Sequence, residues 1–350
     1  MVKKEVIVVR KKDAEGSRRI LLKVGLLDKE YKPLKKGDFV YFPLKKHKLV
    51  PSELLHVPFT LTTTSLDKFP RSPLNSLIIK LKRKYCRKPE FKVEKIGNLA
   101  LLWIAEDFSS HKEEIIKAVS QTYKIRGIFE KISEVKGLHR IPKIRHLSGS
   151  KSAVTIHTEY GIKICVNLEK AYFNSRLANE HNRIASLVSL PEQILDMFAG
   201  VGPYSLHIAK KIARVEQNYG KVHKSRIVAV DINPTAIEFL ERSTKLNKLE
   251  GTIYPIVADS AHVFNKQIRF NRIIMNLPHA SYQYLPLATS ILQTRGIIHF
   301  YTFSRKENPI TAESAKFISI SQNRLKISSV AILKDVAPHK VVVRVDAIKK

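Results

Sequence analysis

The chain has 350 residues, 44 % of them hydrophobic, enough for two or three separate cores. Lys and Arg total 62 against 31 Asp and Glu, a formal charge of +31. A polyanionic partner offsets such self-repulsion, and the scatter of basic residues, with no apolar run of the roughly 20 residues a spanning helix needs, points to nucleic acid and away from a membrane.

Val6-Ile7-Val8-Val9 near the N-terminus is too short for a signal-peptide core and reads as a strand. Asp13 is placed to cap a helix carrying Ile20, Leu21 and Val24 on its apolar face, with Gly25 at its end. Gly37-Asp38 reads as a turn into a second strand, Phe39-Val40-Tyr41-Phe42. The stretch 57–75, with Thr62-Thr63-Thr64, Pro70 and Pro73, reads as a linker between a small domain over 1–56 and a middle domain over 76–188. In the middle segment Lys80, Lys82, Arg83, Lys84, Arg87 and Lys88 surround Tyr85 and Leu81, the pattern of a solvated helix face or of a helix lying on phosphates. Asn98–Ile104 reads as a strand. Ser110-His111-Lys112-Glu113 reads as a capping box ahead of Ile115, Ile116, Val119 and Tyr123 at helical spacing. Val154–Ile156 and Ile162–Val166 read as strands around a Glu159-Tyr160-Gly161 turn.

From about Ser189 strands and helices alternate. Ile194–Phe198, Ile227–Asp231, Ile253–Ala258, Arg272–Met275, Ile297–Phe303 and Val341–Ala347 read as strands, with helices over Tyr204–Lys211 and Pro234–Asn247. The expectation is an α/β domain over 189–350, a mostly parallel sheet covered by helices on both faces. Cys86 and Cys165 are the only cysteines and lack metal-type spacing. Neither a disulfide framework nor a metal site is expected, and a reducing, cytoplasmic location is.

Chemistry concentrates at the strand ends. Asp196-Met197-Phe198-Ala199-Gly200-Val201-Gly202-Pro203-Tyr204 lies where strand becomes helix, so Gly200 and Gly202 let a ligand approach the backbone and the helix N-terminus. Asp231 ends the next strand, where a carboxylate accepts ribose hydroxyls, and Asp259 ends the third, within reach of an adenine amino group. A dinucleotide fingerprint would need a third glycine where Ser205 stands. Asn276-Leu277-Pro278 ends the fourth strand, the arrangement of methyltransferases that modify a base nitrogen, in which Asn meets a flipped base edge and Pro fixes the turn.

These motifs together resemble the archaeal and eukaryotic tRNA guanine-37 N1-methyltransferases. So do Asp231-Ile232-Asn233-Pro234, Lys245-Leu246-Asn247-Lys248-Leu249-Glu250, Ser133-Glu134-Val135-Lys136-Gly137, and Ala171-Tyr172-Phe173-Asn174-Ser175-Arg176-Leu177-Ala178-Asn179-Glu180. The resemblance spans essentially the whole chain. It implies a Rossmann-like class I methyltransferase domain with a seven-stranded sheet, preceded by two smaller RNA-binding domains. It implies S-adenosyl-L-methionine as methyl donor, with tRNA gripped at its outer corner and anticodon stem-loop by a monomer without an obligate protein partner. By motif match it assigns Arg140 to the guanine O6, Glu180 to the N1 proton and Asn276 to the base. Tyr172, Phe198, Gly200, Gly202, Asp231, Ile232, Asp259, Asn276 and Pro278 would form the cofactor pocket. Arg140, Arg145, Arg176, Lys82, Arg83 and Lys84 would bind RNA.

Two positions and one four-residue run depart from the family pattern. Ser175 replaces a proline, His181 stands where an Arg is expected, and His279-Ala280-Ser281-Tyr282 has no assignment. Alternatives are methylation of a tricyclic wyosine precursor at the same tRNA position, transfer of the cofactor's aminocarboxypropyl group, a non-catalytic RNA-binding protein, and a nicotinamide-dependent oxidoreductase.

Overall fold

Strand β1 (Val2–Arg10) sits inside a four-stranded antiparallel sheet with β2 (Leu34–Lys36), β3 (Phe39–Pro43) and β4 (Phe59–Leu66), in the order β2-β3-β1-β4. The structure is a computed structural model describing residues 2–45, 57–68, 72–133, 141–219, 225–264 and 267–350. Helix α1 (Ala14–Lys23) buries Leu21 in a core with Ile7, Val9, Val40 and Phe42. Asp13 occupies the N-cap position of α1, but its side chain makes no capping bond. Strand β4 corrects the linker expected over 57–75, because every residue from Phe59 to Leu66 pairs with β1. The threonines that suggested an extended connection are β-branched, and suit the exposed face of a strand. Helix α2 (Pro73–Tyr85) follows and buries Leu74, Leu77 and Leu81.

The chain divides into two units, Met1–Lys84 and Tyr85–Lys350, so residues 76–84 of the expected middle domain fall in the first unit and its residues 85–188 share the second with 189–350. That second unit begins with the sheet β5-β6-β7-β8, made by β5 (Phe91–Ile96), β6 (Leu99–Ile104), β7 (Gly127–Lys131) and β8 (Ile144–Gly149). The parallel β6–β7 pair is joined by helix α3 (Lys112–Thr122). The expected capping box at Ser110 is not formed. A 3₁₀ turn, Glu106–His111, runs straight into α3, His111 takes the N-cap position, and Glu114 reaches its Nδ1 at 3.2 Å. The ribbon β9 (Val154–Glu159) and β10 (Ile162–Asn167) turns through Tyr160 and Gly161, both at positive φ. Glu159 belongs to the strand and is buried rather than lying in the turn.

Helix α4 (Ala178–Leu187) leads into the seven-stranded sheet. Its strands are β11 (Gln193–Asp196), β12 (Arg226–Asp231), β13 (Ile253–Val257), β14 (Phe270–Met275), β15 (Leu292–Arg305), β16 (Leu325–Ala337) and β17 (Lys340–Lys349). The order is β13-β12-β11-β14-β15-β17-β16, parallel except at β17, which runs antiparallel to both neighbours. Alternating side chains feed two cores. Ile194, Ile227 and Ile274 join β10, α4, helix α5 (Pro203–Tyr219) and helix α6 (Pro234–Asn247). Leu195, Ile273 and Met275 join helix α7 (Ser281–Ile291) and helix α8 (Pro309–Ile320). Helices therefore cover both faces, and the carboxyl ends of β11, β12, β13 and β14 open on one edge, where doubly wound sheets bind ligands. Among the described residues no helix is long and apolar enough to cross a membrane.

Candidate active site

The glycine loop sits between β11 and α5, with Gly200 at φ +56° and Gly202 at φ +75°, conformations that L side chains rarely adopt. A Cβ on Gly202 would stand 2.2 Å from Leu240 of α6, so this glycine is needed for packing. A Cβ on Gly200 would meet only the Tyr172 carbonyl, at an ordinary contact distance of 3.8 Å, so nothing in the chain crowds this glycine. Asp231 braces the loop from β12 through the Gly200 N–H (2.7 Å) and the Asn233 N–H (2.9 Å). Asn233 caps α6 with its side-chain oxygen and donates to the Lys170 carbonyl at 2.8 Å, which ties the Ala171–Phe173 segment to the loop. Expected cofactor residues Tyr172, Gly200, Gly202, Asp231 and Ile232 are thus brought together by three separate stretches of chain.

Asp259 follows β13 and is partly exposed, with the Ala261 N–H on its Oδ1. Tyr284 of α7 packs edge-on against Phe198 at 4.9 Å, and its hydroxyl is raised above its usual range by burial and then by the Asp259 charge. Tyr284 therefore lines the same edge as Phe198 and Asp259, a position that helical periodicity alone could not assign. Asp196, at the end of β11, is a further site residue that the sequence motif does not single out. It is fully buried, its Oδ2 accepts from Ser205 Oγ (2.8 Å), and its Oδ1 has no hydrogen-bond partner among the described residues. Burial, with Asp231 nearby, pushes its carboxyl up to about 7. A ligand that brings an ammonium or N–H donor to this oxygen would relieve the deficit.

Asn276, Leu277 and Pro278 form the turn after β14. Ser281 Oγ accepts from the Leu277 N–H (3.2 Å) and donates to the Met275 carbonyl (3.1 Å), so part of the unassigned run His279–Tyr282 clamps this turn. Tyr282 Oη donates to Glu313 Oε2 at 2.6 Å. A cleft of about 970 Å³ opens beside Pro278, with Phe303, Arg305, Lys316 and Lys340 among its lining residues.

Glu180 lies on α4, 4 % exposed, and accepts from every side. Arg183 grips both carboxylate oxygens (2.7 and 2.8 Å), Tyr301 donates to Oε1 (2.6 Å), and Arg344 reaches Oε2 at 3.3 Å. Arg176, by contrast, is exposed, and its backbone N–H bonds Asn174 Oδ1. Tyr301 is the key to location. Met275 pairs with Phe300 across β14 and β15, so Tyr301 is level with Asn276, and its hydroxyl ties Glu180 to the end of the sheet from which the Asn-Leu-Pro turn leaves. Tyr204, at the start of α5, packs against both Tyr301 and His181. The network continues through Arg183 to Asp346, and from Asp346 to His299, Arg272 and Glu192.

Arg140 lies outside the described residues. Arg145 is on β8 and pairs with Glu130, which Lys112 also contacts. Lys82, Arg83 and Lys84 are exposed in the last turn of α2. At the two remaining departures, Ser175 Oγ donates to Glu94 (2.8 Å) and His181 is buried against Glu159 (2.8 Å). Hydrogen bonds from His181 and His207 outweigh burial and hold the Glu159 carboxyl down at about 2.

Residues 155–328 match the TRM5/TYW2 methyltransferase domain, 7–48 the tRNA methyltransferase 5 N-terminal domain and 79–152 the TYW2 N-terminal domain. The chain is 36 % identical to the tRNA (guanine(37)-N(1))-methyltransferase Trm5b of Methanocaldococcus jannaschii, over 85 % of this chain and 86 % of that protein. The solved complex of aTrm5 and tRNALeu superposes with a TM-score of 0.69 at 30 % identity, covering 99 % of each chain. The Methanocaldococcus jannaschii Trm5 complex with adenosine superposes at 0.64, also with 30 % identity and 99 % of each chain. The glycine loop, the Asn-Leu-Pro turn and the full-length match agree, and the chain belongs to the TRM5/TYW2 family of methyltransferases.

Proposed function

We propose that this protein transfers a methyl group from S-adenosyl-L-methionine to N1 of the guanine at position 37 of tRNA. The observation that carries this reading is the placement of Glu180, a buried carboxylate tied by Tyr301 to the end of the sheet from which the Asn276-Leu277-Pro278 turn leaves. S-adenosyl-L-methionine supplies a methyl on a sulfonium that needs no further activation. The chain's own groups fit that donor. Gly200 is uncrowded beside the Tyr172 carbonyl, Asp231 stands at the strand end that suits a ribose, and Phe198, Ile232, Asp259 and Tyr284 suit an adenine edge. The unpartnered Asp196 oxygen suits an ammonium.

Guanine N1 carries a proton and is a poor nucleophile until it leaves. A carboxylate at N1 removes it, a contribution of about 10²–10⁴-fold. The four acceptor sites of Glu180 are already occupied by donors, so N1–H must displace one, and the 3.3 Å contact from Arg344 is the longest. Charge then develops on guanine O6, the site assigned to Arg140 by the family motif. Asn276 offers amide groups to the base edge and Pro278 fixes the turn. The cleft beside Pro278 is lined by the rings of Tyr282 and Phe303 and by Arg305, Lys316 and Lys340 as well as Glu307 and Glu313, and its rings and cations suit flanking nucleotides. Arg145, Arg176, Lys82, Arg83 and Lys84 are assigned to the RNA backbone, and the enzyme acts as a monomer.

The test is methyl incorporation into two unmodified tRNA transcripts, one with guanine and one with adenine at position 37. N1-methylguanosine in the first alone is expected. Glu180→Gln should lower kcat by about 10²–10⁴-fold while cofactor binding persists. Product on neither transcript, despite cofactor binding, would direct attention to a wyosine-type precursor.

A further inference from the structure

Among the described residues outside the active site, one cluster of metal-ligating side chains has no part in the chemistry above. Glu159 ends β9, His181 is on α4 and His207 is on α5, and all three side chains are at most 2 % exposed. His181 Nδ1 lies 2.8 Å and His207 Nε2 3.2 Å from the same oxygen, Glu159 Oε2, and the ligating atoms of the three residues all lie within 4.8 Å of one another. We propose that Glu159, His181 and His207 form a structural metal site that takes one zinc ion.

Charge is the first argument. The ion-pair partners of Glu159 among the described residues are three imidazoles, with no Lys or Arg. A carboxylate this deeply buried needs a compensating cation. Its Oε1 is buried without a hydrogen-bond partner. A divalent ion held by the three side chains would supply that charge.

Donor chemistry selects the ion. Two imidazole nitrogens and one carboxylate oxygen suit zinc, whereas magnesium and calcium demand oxygen ligands. Tetrahedral zinc with bonds of about 2.0–2.1 Å sets its donors about 3.3 Å apart, so His181 Nδ1 would retreat by roughly half an ångström. Each imidazole ligates as the neutral tautomer whose proton sits on the opposite nitrogen. A fourth position remains for water.

The surroundings fit a closed site. His157 Nδ1 faces the Gly97 N–H at 3.1 Å and so acts as acceptor, leaving the proton on Nε2, which stands 3.7 Å from Glu159 Oε1. His157 thus stands beside the carboxylate as a neighbour rather than a ligand. The rings of Tyr160 and Tyr204 pack edge-on against His207 and His181. Because His181 directly follows Glu180, an ion here pins one face of α4 to β9 and α5 while the next face presents Glu180 to Tyr301.

The full-length protein, stripped with a strong chelator, is titrated with cobalt(II), and zinc content is measured after reloading and gel filtration. Expected results are the intense visible bands of four-coordinate cobalt at one equivalent, their loss on adding zinc, and one zinc retained per chain. His207→Gln and Glu159→Gln should abolish the bands and the retained zinc, and zinc should raise Tm in the parent protein only. Absence of both visible bands and retained zinc in the parent protein overturns the site, without depending on any variant folding. Unchanged retention in both variants overturns it equally.

Discussion

Tyr301 on β15 donates its phenolic hydrogen to Glu180 Oε1 on α4 at 2.6 Å, across 121 positions of sequence. This bond fixes the height of the carboxylate relative to the Asn-Leu-Pro turn. Tyr301→Phe keeps the ring and removes the donor. A hydrogen bond to a charged group contributes about 1.5–3 kcal/mol, so Tm should fall measurably. If Tyr301 acts by positioning, kcat for methyl transfer should drop while the KM for tRNA holds. A fall in Tm with kcat unchanged would make the bond purely structural.

The two glycines of the loop should respond differently to alanine. Gly200→Ala strains a positive φ and adds a Cβ beside the Tyr172 carbonyl, so cofactor affinity should suffer more than stability. Gly202→Ala additionally drives a Cβ into Leu240 and should destabilise by about 1–3 kcal/mol. Calorimetric titration with S-adenosylhomocysteine, beside thermal melts, separates the two effects.

His299 gives the fold an acid-sensitive joint. Its Nδ1 lies 2.7 Å from Asp346 and its Nε2 2.6 Å from the Arg272 guanidinium, so the neutral tautomer carries its proton on Nδ1. Burial, together with the Arg272 and Arg183 charges, outweighs Asp346 and pulls the imidazole below its usual 6.5. The unfolded chain therefore binds a proton that the folded chain refuses, and stability from this group is complete above pH 6.5 and is lost as pH falls. The slope is at most about 1.4 kcal/mol per pH unit for one proton. Urea melts of the parent protein should steepen below that pH, and those of His299→Asn should flatten there, from a lower stability at neutral pH.

Lys82, Arg83 and Lys84 at the end of α2 should contribute through counterion release. Replacing all three by Ala should weaken tRNA binding and reduce the log–log salt slope by up to about 0.7–0.9 per lost phosphate contact. Filter binding between low and moderate salt measures it. An unchanged slope would return these residues to the role of a solvated helix face.

Local chemistry carried much of the fold into plain view. Pro234–Asn247 was legible as a helix because Asn233 caps it and its apolar residues recur with helical period. The carboxyl ends of the parallel strands were legible through Gly200, Asp231 and Asn276. Strand β4 was hidden by threonines that suit strands and connections alike, and α7 and α8 by apolar residues that gather weakly on any one face and by N-caps without a side-chain bond. The capping box at Ser110 failed because a 3₁₀ turn had already engaged its backbone.

The sequence by itself determined the chemistry available at each strand end, since glycines, strand-terminal acids and an Asn-Leu-Pro turn have few other uses in that order. Only the tertiary structure decided which side chains act together. Glu180 meets Tyr301 and Arg344, and Glu159 meets His181 and His207, through helix packing across the sheet. Those pairings depend on the rotation of α4 and the register of β14 with β15, which are set by long-range burial and leave no periodic trace in the sequence.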